Sequence, residues 1–85
     1  MSSIYVSHTA YKQLLKIPFR VRLRIEVAIE KLPQNPYPLN SRKLAGRNGW
    51  RFRTGDYRTI YQIDKKRKRI IILNITHRKE VYRGM

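Results

Sequence analysis

Alternating side chains mark the middle of the chain as a β-hairpin. From Trp50 to Thr54, aromatic and hydroxyl residues alternate with arginines, and a period of two resumes from Tyr57 to Ile63. This alternation is typical of strands with two chemically different faces. Gly55-Asp56 between the runs predicts a two-residue turn, because glycine readily adopts the positive φ that such a turn needs.

The predicted turn also fixes the register of the hairpin. With Thr54 opposite Tyr57, Arg53 lies opposite Arg58, and one face holds Arg51, Arg53 and Arg58. The other face holds the residues expected in the core: Trp50, Phe52, Tyr57, Tyr61 and Ile63. Like charges directly opposite each other are destabilising, and the guanidinium fork fits phosphate. The arginine face therefore predicts a nucleic-acid ligand, with a solvated basic surface as the alternative.

The first half of the chain predicts one strand and two helices. Ile4 to Val6 is a short apolar run, and Ser7 is a suitable N-cap for a helix on which Tyr11, Leu14 and Leu15 share a face. Phe19 to Leu32 alternates like a strand, but its length and the prolines at both ends favour a helix. An apolar helical stripe supports this interpretation: Val21, Ile25, Ala28, Ile29 and Leu32.

The second half predicts an antiparallel meander. A proline-rich connection, 33–40, precedes the hairpin, and the basic run from Lys65 to Arg69 predicts a second turn. Ile70 to Ile75 is almost continuously apolar, which predicts a central strand buried on both faces. A tail or one helical turn follows from His77. The expected fold is a single α+β domain, 1–85, with the order β-α-α-β-β-β and the helical hairpin packed on the sheet.

Composition narrows the possible functions. The 85 residues include 20 lysines and arginines against 5 acids, a net charge of +15, and 14 of the basic residues lie in 42–85. Such an excess points to a polyanionic partner. With no cysteine and two isolated histidines, we expect neither a metal site nor another cofactor. The sequence also lacks an apolar run long enough for a signal peptide or membrane span, so we expect a cytoplasmic protein.

The residues after the last strand add groups that could take part in catalysis: His77, Arg78, Tyr82 and Arg83. The chain offers no carboxylate pair for a two-metal or glycosidase mechanism. One reaction needs only a base, an acid and cations, namely attack of an RNA 2′-hydroxyl on the adjacent phosphodiester. Histidine is the usual acid or base near neutral pH. A tyrosine such as Tyr82 can act as a base where neighbouring arginines lower its pKa.

Two blocks of this sequence, KLAGRNGWRFRTGDYRTIYQID and HRKEVYR, resemble the RelE toxins of the RelE/ParE toxin–antitoxin superfamily. The resemblance covers essentially the whole chain and implies a small α+β domain. It also implies that the protein cleaves mRNA in the ribosomal A site and is neutralised by an acidic, RelB-like antitoxin. DNA would be contacted only through the antitoxin complex.

The resemblance assigns roles to individual residues. It implies that Arg58 grips the scissile phosphate, that Arg78 is the acid or a charge stabiliser, and that Tyr82 is the base. Arg51 and Arg53 stand where well-studied members have lysines, and arginine cannot exchange protons near neutral pH. The choice of base between Tyr82 and His77 stays open. The remaining residues expected to bind phosphate are Lys43 and Arg83.

Two other functions are compatible with the sequence. A ParE-like toxin would inhibit DNA gyrase through protein contacts, and the same fold serves both activities. A basic RNA-binding protein without catalytic activity would also carry this charge. Intact mRNA in arrested cells would favour the first, and salt-sensitive binding without cleavage would favour the second.

Overall fold

The computed structural model describes residues 3–78, which form two helices and five strands. Strand β1 (Ser3–Val6) leads into helices α1 (His8–Leu15) and α2 (Phe19–Lys31). Four strands follow: β2 (Ser41–Lys43), β3 (Trp50–Thr54), β4 (Tyr57–Asp64) and β5 (Arg69–His77). The predicted α+β fold is confirmed, and its order gains one strand, β2. The predicted C-terminal tail or helical turn lies largely in 79–85, outside the described residues.

Helix α1 begins at the predicted cap. The Oγ of Ser7 accepts a hydrogen bond from the backbone N–H of Ala10 at 3.0 Å. Ala10 is fully buried, whereas Tyr11 and Leu15 are more than half exposed. Of the three apolar residues predicted to share a face, only Leu14 packs against the core. The small Ala10 side chain lets α1 approach β5 closely.

Helix α2 confirms the helical interpretation of the ambiguous segment. Ile25, Ile29 and the C-cap residue Leu32 are buried, with the rest of the predicted stripe packed around them. The strand-like alternation has a separate consequence, because it also places apolar residues on the outer side of the helix. These outer residues are 44–61% exposed: Phe19, Leu23 and Val27.

The sheet has the strand order β1-β5-β4-β3-β2. Strands β3, β4 and β5 form the predicted antiparallel meander, and the unpredicted β2 adds an antiparallel edge strand. The prediction of an antiparallel sheet was wrong for β1, which pairs with β5 in parallel. The sheet is therefore mixed. A parallel partner requires a crossover connection, and α1 and α2 lie in that connection.

The β3–β4 hairpin has the predicted register. Thr54 pairs with Tyr57 and Arg53 with Arg58. Gly55 has a φ of +59°, whereas Asp56 is not among the residues with positive φ. This combination is that of a type II′ turn, whose first central position favours glycine.

Strand β5 differs from the prediction of burial on both faces. Ile70, Ile72 and Ile75 are buried, but Ile71 and Leu73 are only half-buried, because both helices pack on the same face of the sheet. Leu73 is an extra residue in the ladder, since Ile60 pairs with Asn74 and Tyr61 with Ile72. Because this β-bulge adds one residue to the strand, Ile72 before it and Ile75 after it both lie on the core face.

One hydrophobic core joins the two layers. Its fully buried members on the sheet include Phe52, Tyr61, Ile70 and Ile72, and those on the helices include Ala10 and Ile25. Neither described helix has the length and apolar character needed to cross a membrane. The opposite face of the sheet is the one on which the predicted arginines lie.

Candidate phosphate-binding face

Four arginines occupy two neighbouring rows on the face of the sheet opposite the helices. Arg42 of β2 lies opposite Arg51 of β3 in the first row. Arg53 of β3 lies opposite Arg58 of β4 in the second. Directly opposed residues in a sheet have Cβ atoms about 4.5–5.5 Å apart, so each row places two arginine side chains next to each other. These four residues are called the arginine face below.

The arginine face has no acidic counterpart within the described part of the chain. Ion pairs among residues 3–78 involve other residues, and none joins a carboxylate to the four arginines within 4.0 Å. Arg51 and Arg58 are half-buried, whereas Arg42 and Arg53 are exposed. The strong positive field at this surface is open to an external anion.

A buried hydroxyl extends the second row. Thr76 of β5 pairs with Arg58 and therefore lies on the same face. Its Oγ1 is buried and has no hydrogen-bond partner among the described residues. The row Arg53, Arg58 and Thr76 thus offers two charged donors and one neutral hydroxyl in succession.

Arg78 lies beside the hairpin turn, at the end of the sheet nearest Arg53 and Arg58. Its backbone N–H donates to the carbonyl oxygen of Asp56 at 2.8 Å, and its Nη1 is 3.9 Å from Asp56 Oδ1. Both side chains are about 60% exposed. An ion pair this long and exposed contributes little to stability, so the Arg78 guanidinium can exchange Asp56 for a more highly charged anion.

Nearly the whole chain matches a known family. A family model for the ParE toxin of the type II toxin–antitoxin system parDE matches residues 4–82. This protein belongs to that toxin family. A curated relative, Toxin RelG of Mycobacterium tuberculosis, is 34% identical over 79 residues, which is 88% of each chain.

Solved structures of related toxins have the same fold. In the archaeal RelE-RelB complex from Pyrococcus horikoshii, the matched chain is 29% identical with a TM-score of 0.81, and the match covers 91% of this toxin and 94% of that chain. In the RelB-RelE antitoxin-toxin complex from Methanococcus jannaschii, the matched chain is 30% identical with a TM-score of 0.77, and the match covers 95% of this toxin and 98% of that chain. The toxin is therefore a RelE/ParE superfamily member over nearly its full length.

Three of the predicted phosphate-binding residues of the toxin lie together, and the structure adds a fourth. Arg51, Arg53 and Arg58 share a face as the hairpin register predicted. Arg42 joins them through β2, a three-residue strand that the sequence pattern did not reveal. Because Ser41, Arg42 and Lys43 are all polar, the three-residue strand β2 has no alternation from which a strand could be predicted.

Lys43 lies apart from the arginine face. It pairs with Trp50, and that register puts it on the face that also carries Phe52 and Tyr61. Lys43 instead lines a separate notch with Trp50 at the end of the sheet. The predicted contact of Lys43 with RNA phosphate would therefore be made from a different surface than the arginine face.

His77 also projects from the other face. It pairs with Tyr57, and the two rings meet edge to face with centroids 5.1 Å apart. Its neighbour Thr76 lies on the arginine face, so the strand alternation separates the imidazole from Arg58. Two predicted site residues, Tyr82 and Arg83, lie outside the described residues.

Proposed function

We propose that this toxin inhibits translation by cutting mRNA, using an RNA 2′-hydroxyl as the nucleophile and no metal ion. The observation that carries the proposal is the arginine face, with its two directly opposed arginine pairs and no carboxylate within ion-pair distance in residues 3–78. Such pairs weaken the free fold, and a bound polyanion would remove the repulsion. Guanidinium groups bind phosphate bidentately, which suits them to an RNA backbone.

The proposed reaction assigns different tasks to different residues. The 2′-oxygen attacks the adjacent phosphorus, the bond to the 5′-oxygen breaks, and a 2′,3′-cyclic phosphate and a free 5′-hydroxyl result. Arg58, with Arg53 beside it, binds the reacting phosphate and stabilises the charge that develops on it. Arg51 and Arg42 bind the neighbouring phosphate, and Arg78 adds charge stabilisation from the turn.

Proton transfer needs groups other than these arginines, since arginine stays protonated near neutral pH. His77 projects from the opposite face of the sheet, whereas Tyr82 is the residue that the RelE resemblance assigns to this task. We therefore propose Tyr82 as the base that accepts the proton of the 2′-hydroxyl. The leaving 5′-oxygen takes its proton from water.

An antitoxin resembling RelB is the proposed partner, because the matched structures are RelE-RelB complexes. A groove of about 780 Å³ between α2 and the tip of β3 fits such a partner. The exposed Leu23 and Val27 line it, and its rim carries Arg24, Lys31 and Arg53. An amphipathic helix with acidic flanks would match both the apolar floor and the basic rim.

Inhibition of DNA gyrase is the second candidate function. The family model that matches residues 4–82 is named for the ParE toxin, and fold alone does not separate the two activities. A gyrase inhibitor would act through protein contacts and would leave mRNA intact. The arginine face favours RNA cleavage, because opposed guanidinium pairs suit phosphate better than a protein surface.

Primer extension on a defined mRNA after induction of the toxin tests the proposal. We expect new 5′ ends within translated codons for the wild type and none for Arg58→Ala. Lys12→Ala is the matched control, since it removes one positive charge from the exposed side of α1 and should leave cleavage unchanged. Growth arrest with intact mRNA and inhibited supercoiling would favour the gyrase function. Full cleavage by a folded Arg58→Ala variant would contradict the proposed mechanism.

A further inference from the structure

A second polar cavity lies at the other end of the sheet. Strand β3 begins at Trp50, which pairs with Tyr61, so residues 62–64 of β4 extend beyond it. This difference in strand length leaves a notch with a volume of about 630 Å³. Its principal lining residues are two aromatics, two amides and two lysines: Tyr37, Trp50, Asn48, Gln62, Lys43 and Lys66. They are called the notch below.

The notch has an aromatic wall that the core does not fully cover. Tyr37 and Trp50 meet edge to face, with ring centroids 4.7 Å apart and an interplanar angle of 60°. Trp50 is half-buried and Tyr37 is 44% exposed, whereas Phe52 and Tyr61 on the same face are buried. An aromatic pair held from behind by the core presents a rigid surface on which a planar ligand can stack.

The charge in the notch favours an anion. Lys65 lines the notch in addition to Lys43 and Lys66, and Asp64 is the single acid among its lining residues. The Asp64 carboxylate is already engaged, because it accepts from the backbone N–H of Arg67 at 3.1 Å and from Nε of Arg69 at 3.3 Å. Three ammonium groups are therefore available to a phosphate near the aromatic wall.

The amides of Asn48 and Gln62 add hydrogen-bonding groups of both kinds. Each side chain carries donors and an acceptor, which match the mixed edge of a nucleobase. A simple phosphate would use neither the aromatic wall nor these amides, and an aliphatic peptide could pair with the amides but would not stack on the aromatic wall. The combination of ring surface, amides and lysines is the one found where proteins bind single-stranded nucleic acid.

The notch also communicates with the arginine face. Gln62 pairs with Ile71, and the register places both on the side of the sheet that carries the arginines. Trp50 and Lys43 line the notch from the helix-covered side. Along β3, Trp50 and Arg53 are three residues apart, or about 10 Å at the rise of a strand. One RNA strand passing around the end of the sheet can reach both surfaces.

We propose that the notch binds a nucleobase of single-stranded RNA, stacked on Trp50 and Tyr37, with its phosphate on the lysines. The identity of the ligand as RNA rests on the proposed function, but the binding residues are different ones. An acidic segment of a protein partner is the competing occupant. It is less favoured because an acidic peptide has no planar ring to stack on the aromatic wall.

Trp50 is the single tryptophan of the chain, so its fluorescence reports directly on the notch. We would titrate the full-length toxin with AMP, CMP, GMP and UMP, and with ribose 5-phosphate as a control without a base. At least one mononucleotide should quench Trp50 fluorescence saturably at millimolar concentration or below, and ribose 5-phosphate should not. Tyr37→Ala should weaken this binding about tenfold or more. Gln62→Leu should change the preference among bases.

Two control variants separate this proposal from the proposed function. Tyr11→Ala removes another exposed tyrosine, which lies on α1, and should leave the titration unchanged. Arg58→Ala should keep mononucleotide binding even though it loses mRNA cleavage, so failure of one proposal does not imply failure of the other. The notch proposal is overturned if no mononucleotide quenches Trp50, or if ribose 5-phosphate does so equally. Quenching by an acidic antitoxin peptide but by no nucleotide would assign the notch to a protein instead.

Discussion

Arg53 and Arg58 lie directly opposite each other across the β3–β4 hairpin, one pair before its turn. A second like-charged pair, Arg42 and Arg51, occupies the next row on the same face. Two such pairs in adjacent rows are unfavourable for the isolated fold, because like charges across a ladder repel each other. The arrangement is therefore better explained by a ligand than by stability.

Replacing Arg53 with glutamine should stabilise the free toxin. Removal of one cross-strand repulsion is worth about 0.2–1 kcal/mol in the free energy of unfolding, and salt screening should reduce the difference. Urea unfolding at low and high salt measures both effects. Arg47→Gln is the control, since it lowers the net charge equally from an exposed loop position. An Arg53→Gln variant less stable than Arg47→Gln at low salt would contradict this explanation.

Arg42 should contribute to RNA binding although the sequence pattern did not single it out. Arg42→Ala removes one proposed phosphate contact, so we expect weaker binding to a 2′-O-methyl RNA that cannot be cleaved. The slope of log affinity against log salt should fall by roughly 1. Lys12→Ala removes the same charge from α1 and should change the slope little. Equal slopes for Arg42→Ala and the wild type would remove Arg42 from the proposed site.

The parts of the fold that the sequence predicted are those with a long or distinctive local pattern. The hairpin register follows from the alternation around Gly55-Asp56. The 13-residue helix α2 follows from its apolar stripe and from the prolines that flank it. The three residues of β2 are too short for any period to be recognised. The parallel pairing of β1 with β5 is a long-range contact, which local patterns do not encode.

The candidate site was predictable to a similar degree. Arg51, Arg53 and Arg58 share one face because their positions depend only on the hairpin register. The face on which His77 lies depends on the pairing of β5 with β4. The bulge at Leu73 shifts that pairing by one residue, and the sequence of β5 alone does not reveal the shift. Lys43 belongs to β2, a strand that the sequence did not predict, and it lies on the other face from the arginines because it pairs with Trp50.

Gln13 should be important for stability despite lying on a short helix. Its Oε1 accepts the backbone N–H of Ile75 at 2.7 Å, beyond the point where β1 ends its pairing with β5. Gln13→Met keeps the length of the side chain but leaves this N–H without its acceptor, which costs about 1–3 kcal/mol. The urea midpoint should fall while the m-value stays the same. Lys12→Met, an exposed neighbour, should have a smaller effect.

Tyr61 should couple stability to alkaline pH. Burial raises its pKa above the ordinary 10.0, and its hydroxyl donates to the carbonyl oxygen of Pro36 at 2.6 Å. The protonated form is favoured in the folded state, so this contribution is present below pH 10 and is lost as the pH rises through the raised pKa. Tyr61→Phe should cost about 0.5–1.5 kcal/mol near neutral pH. Above pH 10, the free energy of unfolding should fall less steeply with pH for Tyr61→Phe than for the wild type. The control Tyr11→Phe should have the same slope as the wild type.

The assignment of the base can be tested by comparing Tyr82 with His77. General base catalysis typically contributes about 10²–10⁴-fold, so Tyr82→Phe should lower the single-turnover rate of mRNA cleavage by a factor in that range. His77→Gln should lower it less than about tenfold, because the strand alternation directs His77 away from Arg58. The comparison should use ribosomes loaded with a defined codon and variants whose melting temperatures match that of the wild type. A large loss in His77→Gln together with a small loss in Tyr82→Phe would transfer the role of base to His77, and the RNA would then have to reach the helix-covered side of the sheet.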